Sequence, residues 1–268
     1  MGFADLETQE KDAQPESSAS FETQEKDALL AGCAALDIHL QGDQADQLAD
    51  FIQLLRKWNR TMNLVSRQDI HRLIERHIVD SLTGLKYLQG SRILDVGSGA
   101  GLPGIPLAIL DAERNYVLCE RMDKRARYLE QMQRSLKLNH VSVLAADVKD
   151  LSEPFDTVIV RAVATVAEVW AKVSRLLIHE HGPSGQLLFY ARVERLFQSA
   201  EIEAQEIEAQ EIETKDAGDG MSDLGLPQDC SVETIEIELG EHRHVLYAVQ
   251  HTAAAASDPA GSSKRDGA

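Results

Sequence analysis

The chain has 268 residues, of which 43% are hydrophobic and 26% are charged. These proportions are ordinary for a globular protein with one substantial core, and no apolar run is long enough to cross a membrane. The first residues are acidic and polar, without the basic and apolar regions of an export signal, so we expect a cytoplasmic protein. The cysteines, Cys33, Cys119 and Cys230, fit no ligand spacing for zinc or an iron–sulfur cluster, and we expect no bound metal.

The formal net charge of −17 is concentrated in two segments. Residues 1–28 contain eight acidic residues and two lysines, and residues 196–241 contain fourteen acidic residues and one lysine. The rest of the chain is nearly balanced, with 24 basic and 22 acidic residues. The composition therefore does not exclude an RNA partner, although the overall charge is strongly negative.

Two repeats help to divide the chain into regions. The heptapeptide Glu-Thr-Gln-Glu-Lys-Asp-Ala occurs at Glu7–Ala13 and again at Glu22–Ala28, which predicts a disordered acidic N-terminal tail. A pentapeptide repeat that starts at Glu201 predicts an acidic insertion. The predicted regions are an acidic tail over 1–28, a helical unit over 29–88, an α/β domain over 89–250 with its insertion at about 200–220, and a polar tail over 251–268.

The helical unit is predicted from apolar residues at helical spacing. Leu48, Phe51, Ile52 and Leu55 recur on one face, and Trp58 extends the same stripe. Ser66 and Asp69 are suited to cap a further helix. The apolar face of that helix would contain Ile70, Leu73, Ile74, His77 and Ile78.

After Gly90 the pattern changes to short apolar runs that alternate with helical stretches, such as those at Asp123–Leu138 and Glu168–Ile178. Such alternation predicts a mostly parallel, doubly wound sheet of the Rossmann-like α/β class. The last two runs are predicted to form a closing antiparallel pair, which suits methyltransferases better than dehydrogenases. The predicted strands are Arg92–Val96, Asn115–Glu120, Val141–Ala145, Thr157–Val160, Gln186–Tyr190, Val232–Glu238 and Val245–Gln250.

A glycine-rich loop between the first strand and a helix at Ile105–Leu110 is the clearest indication of a binding site. The loop runs from Asp95 to Gly104, and its glycines let a ligand approach the backbone closely. Asp95 could orient a cationic amino group, and Glu120, which ends the second strand, could accept hydrogen bonds from ribose hydroxyls. The glycines of the loop that could line a ligand are Gly97, Gly99 and Gly101.

The loop alone fits either a dinucleotide or S-adenosylmethionine. Three features favour S-adenosylmethionine: Asp95 directly before the loop, Pro103 where a phosphate-binding helix would start, and a third strand that ends near Asp147. The alternative without function is a glycine turn with a surface aspartate and glutamate.

Three motifs together resemble the ribosomal RNA small subunit methyltransferase G family, also called glucose-inhibited division protein B. They are Lys57-Trp58-Asn59, the run from Arg76 to Leu82, and the run from Asp95 to Leu107. The resemblance implies methyl transfer from S-adenosylmethionine to N7 of a guanine in small-subunit ribosomal RNA. It also implies that the α/β domain is the methyltransferase domain. Cofactor contacts in the family match Gly97, Leu102, Val148, Lys149 and Arg161.

This chain departs from the family pattern after the strand at Gln186–Tyr190, where Ala191-Arg192-Val193-Glu194-Arg195 lies in place of a Lys-Gly pair. Either Arg192 or Arg195 could replace the lysine charge. Methylation of N7 needs no general base, because this nitrogen carries a lone pair and no proton. The sequence accordingly identifies no certain catalytic residue, and the candidates are His77, Asp80 and Arg192. His77 has the alternative of a buried core histidine.

Clusters of basic residues in two predicted helices are candidates for RNA binding, although each residue alone is better explained as part of a solvated helix face. We expect a monomer that acts on small-subunit ribosomal RNA or the 30S particle. The alternatives are a methyltransferase for a small molecule or protein, a non-catalytic cofactor-binding relative and, least favoured, a dehydrogenase. The RNA-binding candidates are Arg56, Lys57, Arg60, Lys124, Arg125 and Arg127.

Overall fold

The computed structural model describes residues 23–67, 69–161, 164–177, 184–191, 224–239 and 242–252. Arg192, the pentapeptide repeat and residues 253–268 lie outside these ranges, as do residues 1–22 of the predicted acidic tail. The boundary predicted at residue 28 is wrong, because helix α1 spans Thr23–Ala35 and includes the end of that tail. No helix in the described ranges is both long enough and apolar enough to cross a bilayer.

Helix α1 forms because its sequence combines good helix formers with apolar residues one turn apart. The second copy of the heptapeptide provides Gln, Glu, Lys and Ala, which have high helix propensity. Leu29 and Cys33, four residues apart, are each 1% exposed, so one face of the helix joins the core. The prediction of disorder considered the acidic repeat but not the apolar residues that follow it.

Helix α2 spans Gln44–Met62 and confirms the predicted apolar stripe, since Leu48, Phe51, Ile52 and Leu55 are fully buried. The next predicted helix differs from expectation. A 3₁₀ turn at Ile70–Arg72 is followed by a π-helical segment at Ile74–Val79 and a short α-helical turn at Asp80–Leu82. Ser66 and Asp69 contact each other as the predicted cap requires, because the Ser66 hydroxyl donates to Asp69 Oδ2 at 2.6 Å and accepts from the Asp69 backbone N–H. This contact lies in the turn before Ile70, and the 3₁₀ turn itself has no side-chain cap.

In the described part of the chain, seven strands form one sheet in the order β3-β2-β1-β4-β5-β7-β6. Strands β1 to β5 are parallel, and β7 is antiparallel to both β5 and β6. The predicted Rossmann-like fold and its closing antiparallel strands are confirmed. The strands are β1 Arg92–Val96, β2 Asn115–Cys119, β3 Val141–Leu144, β4 Thr157–Arg161, β5 Gln186–Ala191, β6 Cys230–Leu239 and β7 His242–His251.

Helices cover both faces of the sheet, which explains why the central strands are apolar along their length. Helices α3 (Gly104–Leu110) and α4 (Asp123–Ser135) pack with α2 on one face. Helix α5 (Val166–Val173), which continues as a 3₁₀ turn, packs on the other. Strands β1 and β4 are neighbours, yet the chain visits β2 and β3 between them. Their carboxyl ends therefore lie at the topological switch point, where ligands bind in this class of fold.

A buried tyrosine of β5 joins the helical unit to the sheet. The Tyr190 hydroxyl donates to the Ser81 carbonyl oxygen at 2.8 Å, and both residues are buried. Burial raises the pKa of Tyr190 well above its ordinary value, so the hydroxyl stays protonated and able to donate.

We expect Tyr190→Phe to lower the free energy of unfolding by about 1 to 2 kcal/mol, because a buried carbonyl loses its donor. Urea denaturation at neutral pH measures the change. Tyr87→Phe is the control, because Tyr87 is only half-buried and its ring contact with Lys86 survives the substitution. The control should change the free energy by less than about 0.5 kcal/mol. Equal effects of the two substitutions would contradict the role given to Tyr190.

Candidate cofactor site at the switch point

Asp95, at the carboxyl end of β1, is buried with only 1% of its surface exposed. Its Oδ2 accepts hydrogen bonds from the Ser98 hydroxyl at 2.7 Å and from the Gly104 backbone N–H at 3.1 Å. Its Oδ1 is also buried, and no group in the described part of the chain donates to it. Burial, helped by the nearby Glu120 carboxylate, outweighs the hydrogen bonds from Ser98 and Gly104 and raises the pKa of Asp95 to about 7. Asp95 thus holds the loop with one oxygen and leaves the other for a donor outside the protein.

The glycines of the loop differ in their surroundings. Gly97 and Gly99 have φ values of +73° and +54°, which favour glycine, and a Cβ built on Gly97 would meet no atom within 4 Å. A Cβ on Gly99 would meet only the Gly97 carbonyl, at 3.6 Å. Gly101 packs against Ile105, and Leu102 is buried in the core. The open backbone surface of the loop is therefore at Gly97 and Gly99.

Glu120, just after β2, connects the second strand to this loop. It is 4% exposed, and its Oε2 accepts a hydrogen bond from the Gly99 N–H at 3.1 Å. Its Oε1 accepts one from the Met122 N–H at 2.9 Å. Each carboxylate oxygen has a further lone pair, so Glu120 can brace the loop and still accept from a hydroxyl.

The segment after β3 forms a 3₁₀ turn at Val148–Asp150. Asp147 caps it by accepting from the Lys149 N–H at 3.1 Å, and this hydrogen bond lowers the pKa of Asp147. Val148 is buried, whereas Lys149 is exposed, with its Nζ 3.7 Å from Asp147 Oδ2. Arg175 donates to the carbonyl oxygens of Val148 and Lys149 at 3.0 and 2.8 Å and so fixes the turn. Arg175 was not among the residues predicted from the sequence.

These surroundings fit S-adenosylmethionine. The cofactor has a cationic amino group, which suits a buried carboxylate oxygen that lacks a donor, and ribose hydroxyls, which suit a second carboxylate. A Cβ on Gly97 or Gly99 would project into the space in front of the loop, so the bare backbone leaves room for a ligand.

The family of the chain follows from comparison with known proteins. The model of the family described as rRNA small subunit methyltransferase G matches residues 44–218. The ribosomal RNA small subunit methyltransferase G of Klebsiella pneumoniae subsp. pneumoniae is 40% identical over 171 residues, which cover 62% of this chain and 78% of the relative. The protein of the same name from Shewanella denitrificans is 38% identical over 178 residues, which cover 66% of this chain and 82% of the relative.

The chain belongs to the rRNA small subunit methyltransferase G family. The resemblance identified from the sequence motifs is thereby confirmed. As a member of this family, the protein is an S-adenosylmethionine-dependent methyltransferase of 16S ribosomal RNA. The match does not favour a methyltransferase for small molecules or proteins, a non-catalytic relative or a dehydrogenase.

A charged network lies where the helical unit of this methyltransferase meets the sheet. Asp80 Oδ2 is 2.7 Å from Arg161 Nη2 at the end of β4, and Asp80 Oδ1 is 2.6 Å from His244 Nδ1 on β7. All three side chains are at most 17% exposed. Burial alone would raise the pKa of Asp80, but Arg161 and His244 outweigh burial, and the pKa is lowered. The sequence predicted Asp80 and Arg161 separately, and the structure brings them together.

The π-helical segment contributes two backbone carbonyl oxygens to this network. Arg161 Nη2 donates to the Arg76 carbonyl oxygen at 2.7 Å, and Nη1 donates to the His77 carbonyl oxygen at 3.5 Å. The Asp80 N–H donates to the His77 carbonyl oxygen, three residues back in the chain. A regular α-helix would use the Arg76 carbonyl for the Asp80 N–H. The side chain of His77 itself is buried, 8% exposed, on the predicted apolar stripe.

The predicted RNA-binding residues fall into two groups. Lys57, Arg60, Lys124 and Arg127 are exposed, and Arg125 is half-buried. Arg56 differs, because its guanidinium forms a bidentate ion pair with Glu25 of α1, with Nη1 2.8 Å from Oε2. No local pattern predicted that an acidic-repeat residue would neutralise Arg56. His244 was missed as well, since nothing in its local sequence indicates a partner 164 residues away.

We expect Asp80→Asn to lower the free energy of unfolding by about 3 to 5 kcal/mol, because it leaves a buried guanidinium without its carboxylate. Since the pKa of Asp80 is lowered, this stabilisation exists at neutral pH and is lost as the pH falls below the ordinary range of aspartate. Urea denaturation at pH 7.5 measures the change.

The matched control is Glu153→Gln, which removes the carboxylate of an exposed ion pair with Arg92 and should cost less than about 1 kcal/mol. An Asp80→Asn cost no larger than that of Glu153→Gln would contradict the network described above.

His244→Asn should be more stable than His244→Ala, because an amide can still donate to Asp80 Oδ1.

Proposed function

We propose that this methyltransferase modifies N7 of a guanine, on naked small-subunit ribosomal RNA or on the assembled subunit. The observation that supports N7 is the state of the carboxylates around the switch point. Among the described residues there, Asp80 is held by Arg161 and His244, and Glu120 is held by two backbone N–H groups. Asp95 has one oxygen to which no described residue donates, and we assign that oxygen to the amino group of the cofactor and not to the guanine. Exocyclic amines and ring N–H groups must lose a proton during methylation, whereas N7 has none to lose. A site whose carboxylates are engaged in this way suits N7.

We assign the cofactor to the switch point. Asp95 Oδ1 would accept from the cationic amino group, and Glu120 would accept from the ribose hydroxyls. S-adenosylmethionine supplies an electrophilic methyl group on a sulfonium sulfur. The protein's part is to bind the cofactor and the guanine and to hold N7 in line with the methyl carbon. Further proposed cofactor-binding residues are Gly97, Gly99, Gly101, Leu102, Asp147, Val148, Lys149 and Arg161.

Arg161 would act through its position beside the pocket, where Asp80 and the carbonyl oxygens of the π-helical segment fix its guanidinium. His77 and Asp80 would line the same pocket, with Asp80 as a positioning residue. A role for Arg192 remains part of the proposal, although it lies outside the described residues.

The RNA would contact the helical unit and α4, where the exposed cations can neutralise phosphates. We propose residues 29–88 as the RNA-binding unit and residues 89–250 as the methyltransferase domain, with the N-terminal limit moved to Thr23. We also propose a monomer in the cytoplasm, where ribosomal RNA is made and assembled. Proposed contacts are Lys57, Arg60, Lys124, Arg125 and Arg127.

The test is methyl transfer from labelled S-adenosylmethionine to small subunits, and to their naked RNA, from a strain lacking the enzyme. We expect mass spectrometry of the digested RNA to show 7-methylguanosine. Gly99→Asn should weaken binding of S-adenosylhomocysteine at least tenfold and abolish transfer, because asparagine tolerates the φ of +54° but fills the open face of the loop.

Gly42→Asn is the matched control, since Gly42 has the same φ of +54° and open space around its Cβ position. It should bind S-adenosylhomocysteine like the wild type. Methyl groups on any other atom, or no transfer to either substrate at any salt concentration, would refute the N7 proposal. Unchanged binding by Gly99→Asn would refute the cofactor assignment.

A further inference from the structure

A basic groove lies on the helical unit, beside the end of α2. It has a volume of about 620 Å³, and its wall includes Arg56, Asn59, Arg60, Asn63, Arg67 and His71. Three arginines, a histidine and two asparagines thus line one space. Asn59 Oδ1 already accepts from the Val65 N–H at 2.8 Å, so its amide nitrogen remains as the donor toward the groove. This density of donors suits the repeated oxygens of a phosphodiester backbone.

The acidic residue of the groove wall is Glu25, from the second copy of the heptapeptide. Its two carboxylate oxygens each contact one nitrogen of Arg56, in the forked geometry with which guanidinium groups also bind phosphate. The pair is accessible, with the side chains of Arg56 and Glu25 32% and 24% exposed. An anion from solution can therefore reach Arg56 once the carboxylate moves.

The groove and the charged network at the switch point are close to each other along the chain. Its wall includes Ile70 and His71, which lie in the 3₁₀ turn directly before the π-helical segment. The carbonyl oxygen of Arg76 in that segment accepts from Arg161. A strand bound in the groove would thus contact the segment that leads to the proposed pocket.

We propose that this groove binds RNA phosphate backbone, and that Glu25 occupies the position of one phosphate on Arg56. RNA binding then exchanges the Glu25 carboxylate for a phosphodiester, so the acidic helix α1 competes with the substrate. The inference depends on the proposed function only in taking RNA as the substrate. It assigns the second heptapeptide copy a role as an internal mimic of the RNA backbone.

The experiment compares Glu25→Gln with Asp27→Asn in the full-length protein. Both substitutions remove one negative charge from α1, but Asp27 is exposed and does not line the groove. Fluorescence anisotropy with a labelled naked fragment of small-subunit ribosomal RNA measures the dissociation constant from 50 to 200 mM salt. We expect Glu25→Gln to bind about three- to tenfold more tightly at 50 mM salt, and Asp27→Asn to bind less than twofold more tightly. A plot of the logarithm of the RNA-binding constant against the logarithm of salt concentration should be steeper for Glu25→Gln than for the wild type. The difference in slope should correspond to about one additional phosphate contact.

A double-mutant cycle tests the pairing itself. Arg56→Gln should weaken RNA binding, and adding Glu25→Gln to it should give no further gain, because the groove has lost the group for which carboxylate and phosphate compete. Melting temperatures of all variants show whether α1 remains docked. Equal effects of Glu25→Gln and Asp27→Asn, or a full gain from Glu25→Gln in the Arg56→Gln background, would overturn the proposal. Methyl transfer by the wild type is measured in parallel. If the wild type methylates N7 but Glu25→Gln does not bind RNA more tightly, the groove proposal fails and the proposed function stands.

Discussion

The proposed cofactor site depends on a buried carboxylate, one oxygen of which receives no hydrogen bond from the described part of the chain. Asp95 Oδ2 holds Ser98 and Gly104, and so fixes the two sides of the glycine loop. Leaving Oδ1 without a donor costs the isolated protein stability, because an unpaired buried polar atom has lost its hydration. A cationic ligand removes that cost on binding. The rest of the loop, including the Glu120 contact to Gly99, keeps this geometry in place before the ligand arrives.

A second constraint joins the helical unit to the catalytic domain. Asp80 lies between Arg161 of β4 and His244 of β7, and Tyr190 holds the adjacent turn through the Ser81 carbonyl. The antiparallel strand β7 therefore does more than close the sheet, since His244 extends from it to the switch point. The helical unit and the sheet share one charged network, which gives a physical reason for them to move as one unit.

Much of the fold could be predicted because its signals are local. The strands are short apolar runs bounded by turn residues. Six of the seven strands in the sheet begin and end within two residues of their predicted limits. The contacts that cross the chain could not be predicted. The pairs Glu25 with Arg56, His244 with Asp80, and Arg161 with the Arg76 carbonyl depend on packing between distant elements. The acidic repeat also masked the apolar residues that make α1 a helix.

The central claim is that Asp95 Oδ1 receives the amino group of the cofactor. Calorimetry of S-adenosylhomocysteine binding in buffers of different ionisation enthalpy measures the protons released. With a pKa of about 7, Asp95 is about half protonated at neutral pH, and a cationic partner must ionise it. The account predicts release of about half a proton per site at pH 7, falling toward zero by pH 9 and absent from Asp95→Asn. Equal proton release by the wild type and Asp95→Asn at pH 7 would contradict it.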